Sequence, residues 1–319
     1  MSAGADMSPG WQPGQGWGWI WGPGDQIGAL NSVRPASVLA ALSLARQGRV
    51  IDLGVTISRQ SYSSPAHPRT EVLRFRTPES LLRDTRGEAG AADETAVSFN
   101  TSMIMLSDHA GTQIDGLSHA VTGHDYHWYN GFAWRAGSGD FGVGPAGAQN
   151  IPPVIAPGVL LDVPAALGVD ALPAGHPVTV DELRAALDNQ HTFIAPGDVV
   201  LVRTGMMRDW GEVGADHEAL ARTDLAGLCL ASARWLVEEK GALMIAADNT
   251  TVEVSPPVDG DCAAPVHKYL LVEQGVHMGE LHQLEELAGS GESRFCYIAL
   301  APKVAGTTAG FAMRPVAVI

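Results

Sequence analysis

The segment His109-Ala-Gly-Thr-Gln-Ile-Asp-Gly-Leu-Ser-His119 packs two imidazoles, an amide and a carboxylate into one short, turn-rich stretch. Side chains alternate along an extended backbone, so His109, Gln113 and Asp115 fall on one face, with Gly111 clearing space between them. A helix would bring His109 and Gln113 together but swing Asp115 away. The β-branched Thr112 and Ile114 and the glycines at 111 and 116 disfavour a helix. A strand leaving a loop is therefore expected, with His119 returning from beyond the turn.

A second stretch, His267-Lys-Tyr-Leu-Leu-Val-Glu-Gln-Gly-Val-His-Met-Gly-Glu280, supplies further candidates. Residues 269–274 have short-helix character ended by Gly275, and Val276, Met278 and Glu280 then alternate as a strand. His267 stands before or at the start of that helix and Glu280 at the far end of the strand, two ends that can meet at one place. His109, Gln113, Asp115, His267 and Glu280 together offer a nitrogen and oxygen mixture that suits zinc, manganese or iron better than a thiolate-loving ion. Five groups are one too many for a closed tetrahedral zinc. Either the site is five- or six-coordinate, or two ions share a carboxylate, or one group stands behind the ligands. Such a metal polarises a substrate carbonyl and brings bound water toward a neutral pKa. His119, displaced from the ligand face, is then the natural general base and later acid. Each piece also has an ordinary reading: Asp115 before Gly116 can make a turn, and Gln113 alone is a surface amide. Among the eleven histidines, His67, His176, His191 and His217 join no site.

The elements that must position these groups can be followed along the chain. Residues 1–16 are read as a disordered N-terminal end and residues 17–319 as one domain. Trp11, Trp17, Trp19 and Trp21 supply half of the chain's eight tryptophans in a Gly- and Pro-rich arm. Such an arm either staples to the core or a neighbouring subunit, or walls the substrate pocket, and packing is the commoner use of aromatic clusters. Residues 37–46 read as a helix, 50–57 as a strand, and 78–95 as a loop that could serve as a lid. Trp128 and Tyr129, in a loop of polar aromatics, are candidate substrate-pocket walls. Buried strands are expected at 159–163, over 197–205 between its bounding glycines, and at 242–247. Helices are expected from a Thr179–Glu182 capping box and over 225–240. Strand and helix patterns interleave from about residue 150, which gives a mixed α/β class with flanking helices.

Composition bounds the partners. The 319-residue chain carries 35 acidic against 20 basic residues, a formal charge of −15. That field repels nucleic acid and anionic membrane, which leaves a small molecule as the expected partner. No apolar run approaches the roughly 18 residues of a membrane span, and no secretory leader is evident. Three widely spaced cysteines, Cys229, Cys262 and Cys296, without a CxxC pair suit a reducing compartment, so a cytoplasmic location is expected.

The sequence resembles the cyclase or kynurenine-formamidase-like superfamily of metal-dependent hydrolases, marked by His-x-Gly-Thr-His-x-Asp-x-x-x-His. Here His109, Gly111, Thr112, Asp115 and His119 match that motif, with Gln113 in place of the middle histidine. Residues 21–31, 129–131, 197–205, 248–249 and 267–280 look like further family blocks. The resemblance implies a cyclase-like α/β fold with a β-barrel-like central sheet, a homo-oligomer (dimer or tetramer), and a divalent metal, Zn2+ or alternatively Mn2+. Residue by residue, it implies ligand roles for His109, Asp115, His267 and Glu280 and proton transfer for His119, with Gln113 beside it at the reacting centre. An amide oxygen is a weaker donor than imidazole. One ion is therefore expected, held most firmly by His267 and Glu280, with Gln113 as a ligand or near neighbour. The Gly-Thr-Gln variant is closer to lactone-hydrolysing members such as trans-dienelactone hydrolase than to true kynurenine formamidases. Hydrolysis of a lactone or other cyclic carbonyl compound is thus the expected reaction. The alternatives are an amidase on a formamide or isatin-like ring, a metal-dependent lyase or cyclase, and a non-catalytic small-molecule binder.

Overall fold

The computed structural model describes residues 10–18, 20–80, 99–140, 142–211, 216–307 and 310–319. Most of the loop expected at 78–95 lies outside them. In chain order the strands are β1 (Val50–Asp52), β2 (Glu71–Arg76), β3 (Thr101–Met105), β4 (Gln113–Asp115), β5 (Ser138–Gly139), β6 (Gly142–Val143), β7 (Val154–Asp162) and β8 (Pro177–Val178). They continue as β9 (Val199–Arg203), β10 (Gly227–Leu228), β11 (Met244–Ala247), β12 (His277–Glu280), β13 (Arg294–Ala299), β14 (Gly310–Ala312) and β15 (Val316–Val318).

Nine of these strands form one sheet in the order β1-β15-β13-β7-β9-β11-β12-β4-β14. β7, β9, β11 and β12 run parallel at its centre, and antiparallel neighbours flank them on both sides. Met313, Arg314 and Pro315 alone separate β14 at one end of the sheet from β15 near the other. Four residue steps reach at most about 14 Å, so the sheet has to curl until its two ends approach each other. The result is a mixed α/β fold with a half-barrel sheet flanked by helices. Every residue of β9 and β11 is buried, as parallel strands covered on both faces require. No helix among the described residues is long and apolar enough to cross a membrane.

Several boundaries differ from the sequence expectation, each for a local reason. The helix expected over 225–240 begins only at Leu230, because Gly227 and Leu228 pair with β8 as a short parallel strand. It continues as a π-helical turn through Glu239. The early helix runs Pro35–Leu42, opened by proline at its first position. β1 stops at Asp52, after which the backbone bonds elsewhere: Leu53 N donates to Pro315 O, and Val55 N donates to the Thr112 hydroxyl. The capping box is present, with Thr179 Oγ1 accepting from Glu182 N and the Glu182 carboxylate accepting from Thr179 N.

The N-terminal arm is stapled to the core, and that includes residues 11–16, which the sequence assigned to a disordered end. Trp11 Nε1 donates to Val237 O at 2.6 Å, and Gly14 N donates to Glu238 O at 2.9 Å. Trp17 is buried, its Nε1 donating to Ala242 O at 2.8 Å, while Gln274 Oε1 accepts from both Trp17 N and Gly18 N. Farther on, the arm crosses the Gly275 turn so closely that Ala29 N donates to Gly275 O at 2.8 Å. Gly28 sits at φ +55°, and a Cβ there would lie 2.0 Å from Gly275 O. Gly28→Ala should therefore destabilise the fold by about 2–3 kcal/mol, read as a lowered Tm, whereas Gly24→Ala, with open space around it, should leave Tm nearly unchanged.

Candidate functional site

The chemistry gathers where β4 pairs antiparallel with β12. The register sets Asp115 opposite Met278 and Gln113 opposite Glu280. Alternation then puts Gln113, Asp115 and Glu280 on one face of the sheet. All three are buried: Asp115 is 0% exposed, Gln113 2% and Glu280 6%. The residues before the strand fit this close approach. Gly111, at φ +63°, has no room for a Cβ beside Ile57 and Val55, and the Thr112 hydroxyl donates to Leu281 O at 2.6 Å. The strand begins at Gln113, so His109 reaches the site from a turn and not from the strand face that simple alternation assigned to it.

His267 enters from the first turn of the helix beginning at Pro265. Its Nε2 lies 3.7 Å from Glu280 Oε1 and 3.9 Å from Asp115 Oδ2. On its other side Nδ1 makes a hydrogen bond to Glu253, whose carboxylate also accepts from Val266 N and His267 N. Glu253 thus caps the helix and turns His267 so that Nε2 faces the two buried carboxylates. Glu253 itself is only 4% exposed and is placed by the loop after β11. In that loop Asn249 Oδ1 accepts from Val252 N, and Asn249 Nδ2 donates to Ala226 O. Asp248 ties the same end of the sheet to the end of β9 by accepting from Thr204 N, Thr204 Oγ1 and Gly205 N, each at 2.7 Å. Residues 248–249 stand out in the sequence as a family block, whereas Glu253 sits in an alternating Thr-Val-Glu-Val-Ser run with nothing to mark it as functional.

Gln113 Nε2 lies 2.7 Å from Glu280 Oε2, to which it donates, and 2.6 Å from His109 Nδ1. With the amide so engaged, Gln113 Oε1 and both Asp115 oxygens are buried without a hydrogen-bond partner. Desolvating a carboxylate without compensation is costly. Burial first and the nearby Glu280 second push the Asp115 carboxyl well above its ordinary range, and burial likewise raises Glu280. Although burial opposes it, hydrogen bonding to Glu253 and Glu280 holds the His267 imidazolium up to about 10. The imidazoles of His109 and His119 are pushed down by burial and by the neighbouring histidines, to about 3 and about 4, so both rings stay neutral.

Unpaired oxygens between two acidic groups and an imidazole are what a cation would satisfy. His109, Asp115 and His119 form one group of potential ligand atoms and Asp115, His267 and Glu280 another, each within 4.8 Å, and Asp115 belongs to both. His109, His119 and His267 stand in a row, with ring centroids 4.5 Å and 5.9 Å apart. His67, which the sequence left without a site, extends this row by stacking on His109 at 4.6 Å. The row lines a cavity of about 420 Å³ whose wall also includes Tyr62, Arg222, Thr251 and Ser255.

Trp128 and Tyr129 do not line this cavity, contrary to the sequence expectation. Both are fully buried; Trp128 Nε1 donates to Pro145 O, and the Tyr129 hydroxyl donates to Asp25 at 2.6 Å. Asn130 Nδ2 binds Gly22 O and Asp25 O, so this loop fastens the N-terminal arm and leaves the cavity to other side chains.

A family model named Cyclase, described as "Putative cyclase", matches residues 51–254, more than half of the chain. The chain belongs to the cyclase family. It is similar to a solved structure of a novel cyclase, with 28% identity, a TM-score of 0.80, and coverage of 96% of this chain and 98% of that one. Isatin hydrolase A from Ralstonia solanacearum shares the fold at 21% identity and TM-score 0.62, over 90% of this chain and 98% of its own. A protein from Bacillus stearothermophilus described as a "predicted metal-dependent hydrolase" does so at 18% identity and TM-score 0.51, over 84% and 97%. No curated protein sequence is a match. In this cyclase-family chain the position of Glu253 behind His267 yields a direct expectation. Glu253→Gln should weaken binding of a divalent ion such as Zn2+ or Mn2+ about 10- to 100-fold by calorimetric titration if His267 is among its ligands, since the imidazole's orientation and basicity are lost while its ring remains.

Proposed function

We propose that this protein is a metal-dependent hydrolase that opens a lactone or a related cyclic carbonyl compound. The observation that carries the reading is Asp115, a fully buried carboxylate with neither oxygen hydrogen-bonded, flanked by His267 and Glu280. Asp115, Glu280, His267 and the Gln113 amide oxygen would hold the ion, with His109 orienting the amide or joining the ligands. A donor set of imidazole and oxygen suits zinc or manganese. When bound, the divalent ion supplies Lewis acidity toward a substrate carbonyl oxygen and acidifies water.

The chain's own residues supply orientation and proton transfer. The cavity of about 420 Å³ is of a size that accepts a small ring compound. His119 faces it from beyond the turn after β4, where His119 N bonds back to Gly116 O. Kept neutral by burial, its ring accepts a proton from the attacking water as the water oxygen bonds to the carbonyl carbon. The same proton passes to the departing ring oxygen when the C–O bond breaks, giving a hydroxy acid. Glu253 holds His267 with Nε2 toward the carboxylates throughout, and Gln113 bridges Glu280 and His109.

A second reading, hydrolysis of a cyclic amide, is favoured by the isatin hydrolases among the proteins of similar fold. A panel of lactones and cyclic amides assayed with metal-loaded and chelator-stripped protein separates the two. Ring opening should vanish on stripping and return with Zn2+ or Mn2+, and the larger kcat/KM among lactones supports the first reading. Full activity in metal-free protein would overturn both. His119→Ala should retain the ion and lower kcat by about 10²- to 10⁴-fold, measured with metal content on the same sample.

A further inference from the structure

The neighbours of the Gln113 amide allow it one orientation. Glu280 Oε2 lies 2.7 Å from Gln113 Nε2, and an ionised carboxylate only accepts, so the nitrogen end has to face it. Turned over, the amide would set two acceptor oxygens against each other at that distance. The second hydrogen of the same NH2 group serves His109 Nδ1, 2.6 Å away. Both amide hydrogens are thereby used, and Oε1 is left buried without a hydrogen bond, as are the two oxygens of Asp115.

His109 Nδ1 is also the nitrogen that comes within 3.6 Å of Asp115 Oδ1. A lone pair that accepts an amide hydrogen is not free to bind a cation. Of the two groups of potential ligand atoms that share Asp115, the one that includes His109 is therefore closed, and the one with His267 and Glu280 stays open.

We propose that His109 is a positioning residue and not a ligand, and that His67 and His109 together form a buttress that turns the Gln113 amide oxygen toward the cation. This inference rests on the metal-dependent reading and says how the ligands are chosen within it. An amide needs such a buttress because only its oxygen end can bind a cation; its NH2 end would repel one. His67 comes from the loop before β2, where its N donates to Ser64 O at 2.9 Å. Its ring stacks on that of His109, with centroids 4.6 Å and planes 28° apart. The backbone beneath His109 is fixed too, His109 N donating to Ser107 Oγ at 3.1 Å. Stack and turn together hold the ring where Nδ1 meets the amide.

X-ray absorption fine structure of the full-length protein loaded with Zn2+ counts the imidazoles on each ion. The wild type should show one, and His109→Ala should show the same number, while the affinity read by calorimetric titration falls about tenfold. A count above one in the wild type, or one that drops in His109→Ala, overturns the proposal; the wild-type count decides if the variant fails to fold. His67→Ala should weaken Zn2+ binding about 2- to 10-fold, and His67→Phe, which keeps a stacking ring but carries no nitrogen, should restore it. Wild-type affinity in His67→Ala, or no rescue by phenylalanine, overturns it as well. A wild type that binds neither Zn2+ nor Mn2+ brings down the metal-dependent reading and this inference with it, whereas binding through a second imidazole sinks this inference alone.

Discussion

Two carboxylates, Asp115 and Glu280, are buried side by side on adjacent strands of this protein, and much of the structure serves to make that tolerable. Neither could be placed there by hydrophobic packing, which favours apolar groups. They are held by the β4–β12 register, in which Gln113 and Glu280 are partners and Asp115 faces Met278. His267 offers positive charge from one side and Gln113 donates from the other, yet the Asp115 oxygens remain without hydrogen bonds. Two buried carboxylates that are only partly compensated inside a well-packed protein make a site suited to a cation from outside.

The scaffold places that demand at the C-terminal ends of its parallel strands. Glu280 ends β12, Asp248 and Asn249 follow β11, and Thr204 follows β9. The curled sheet brings these ends together, and the loop that Asn249 shapes carries Glu253 back onto the helix of His267. A chain of contacts thus runs from Asn249 through Glu253 to the imidazole without any of these loop groups touching the cavity's reacting face. Orientation of the His267 imidazole is decided one layer behind it.

The blocks that resemble the cyclase family divide into two kinds. His109 to His119 and His267 to Glu280 gather at the cavity. Residues 21–31 and 129–131 do something different: Asp25 accepts from Asn31, Gly28 N and the Tyr129 hydroxyl, and Asn130 binds the same turn, so the two segments lock the tryptophan arm to the core. A polar aromatic such as Tyr129 in a loop invites a substrate role from sequence, because a hydroxyl on a ring suits recognition as well as packing. Its full burial beside Gly275 assigns it to packing.

The sequence by itself determined the residue types of the centre, the strand at Gln113–Asp115, the helix-then-strand order from His267 to Glu280, the capping box at Thr179 and the interleaved α/β class. These follow from local rules: β-branched residues and glycines exclude helix, alternation assigns faces, and a Thr three residues before Glu begins a helix. Only the tertiary structure decided that His67 joins the row of histidines, that Glu253 directs His267, that His109 arrives from a turn, and that Trp128 and Tyr129 stay away from the cavity. It also replaced the first turn of the expected 225–240 helix with a strand, since Gly227 and Leu228 had a partner in β8 that no local pattern reveals. The physical reason is the same in each case. Side chains distant in sequence meet through sheet register and loop closure, and neither is encoded in the spacing of neighbours along the chain.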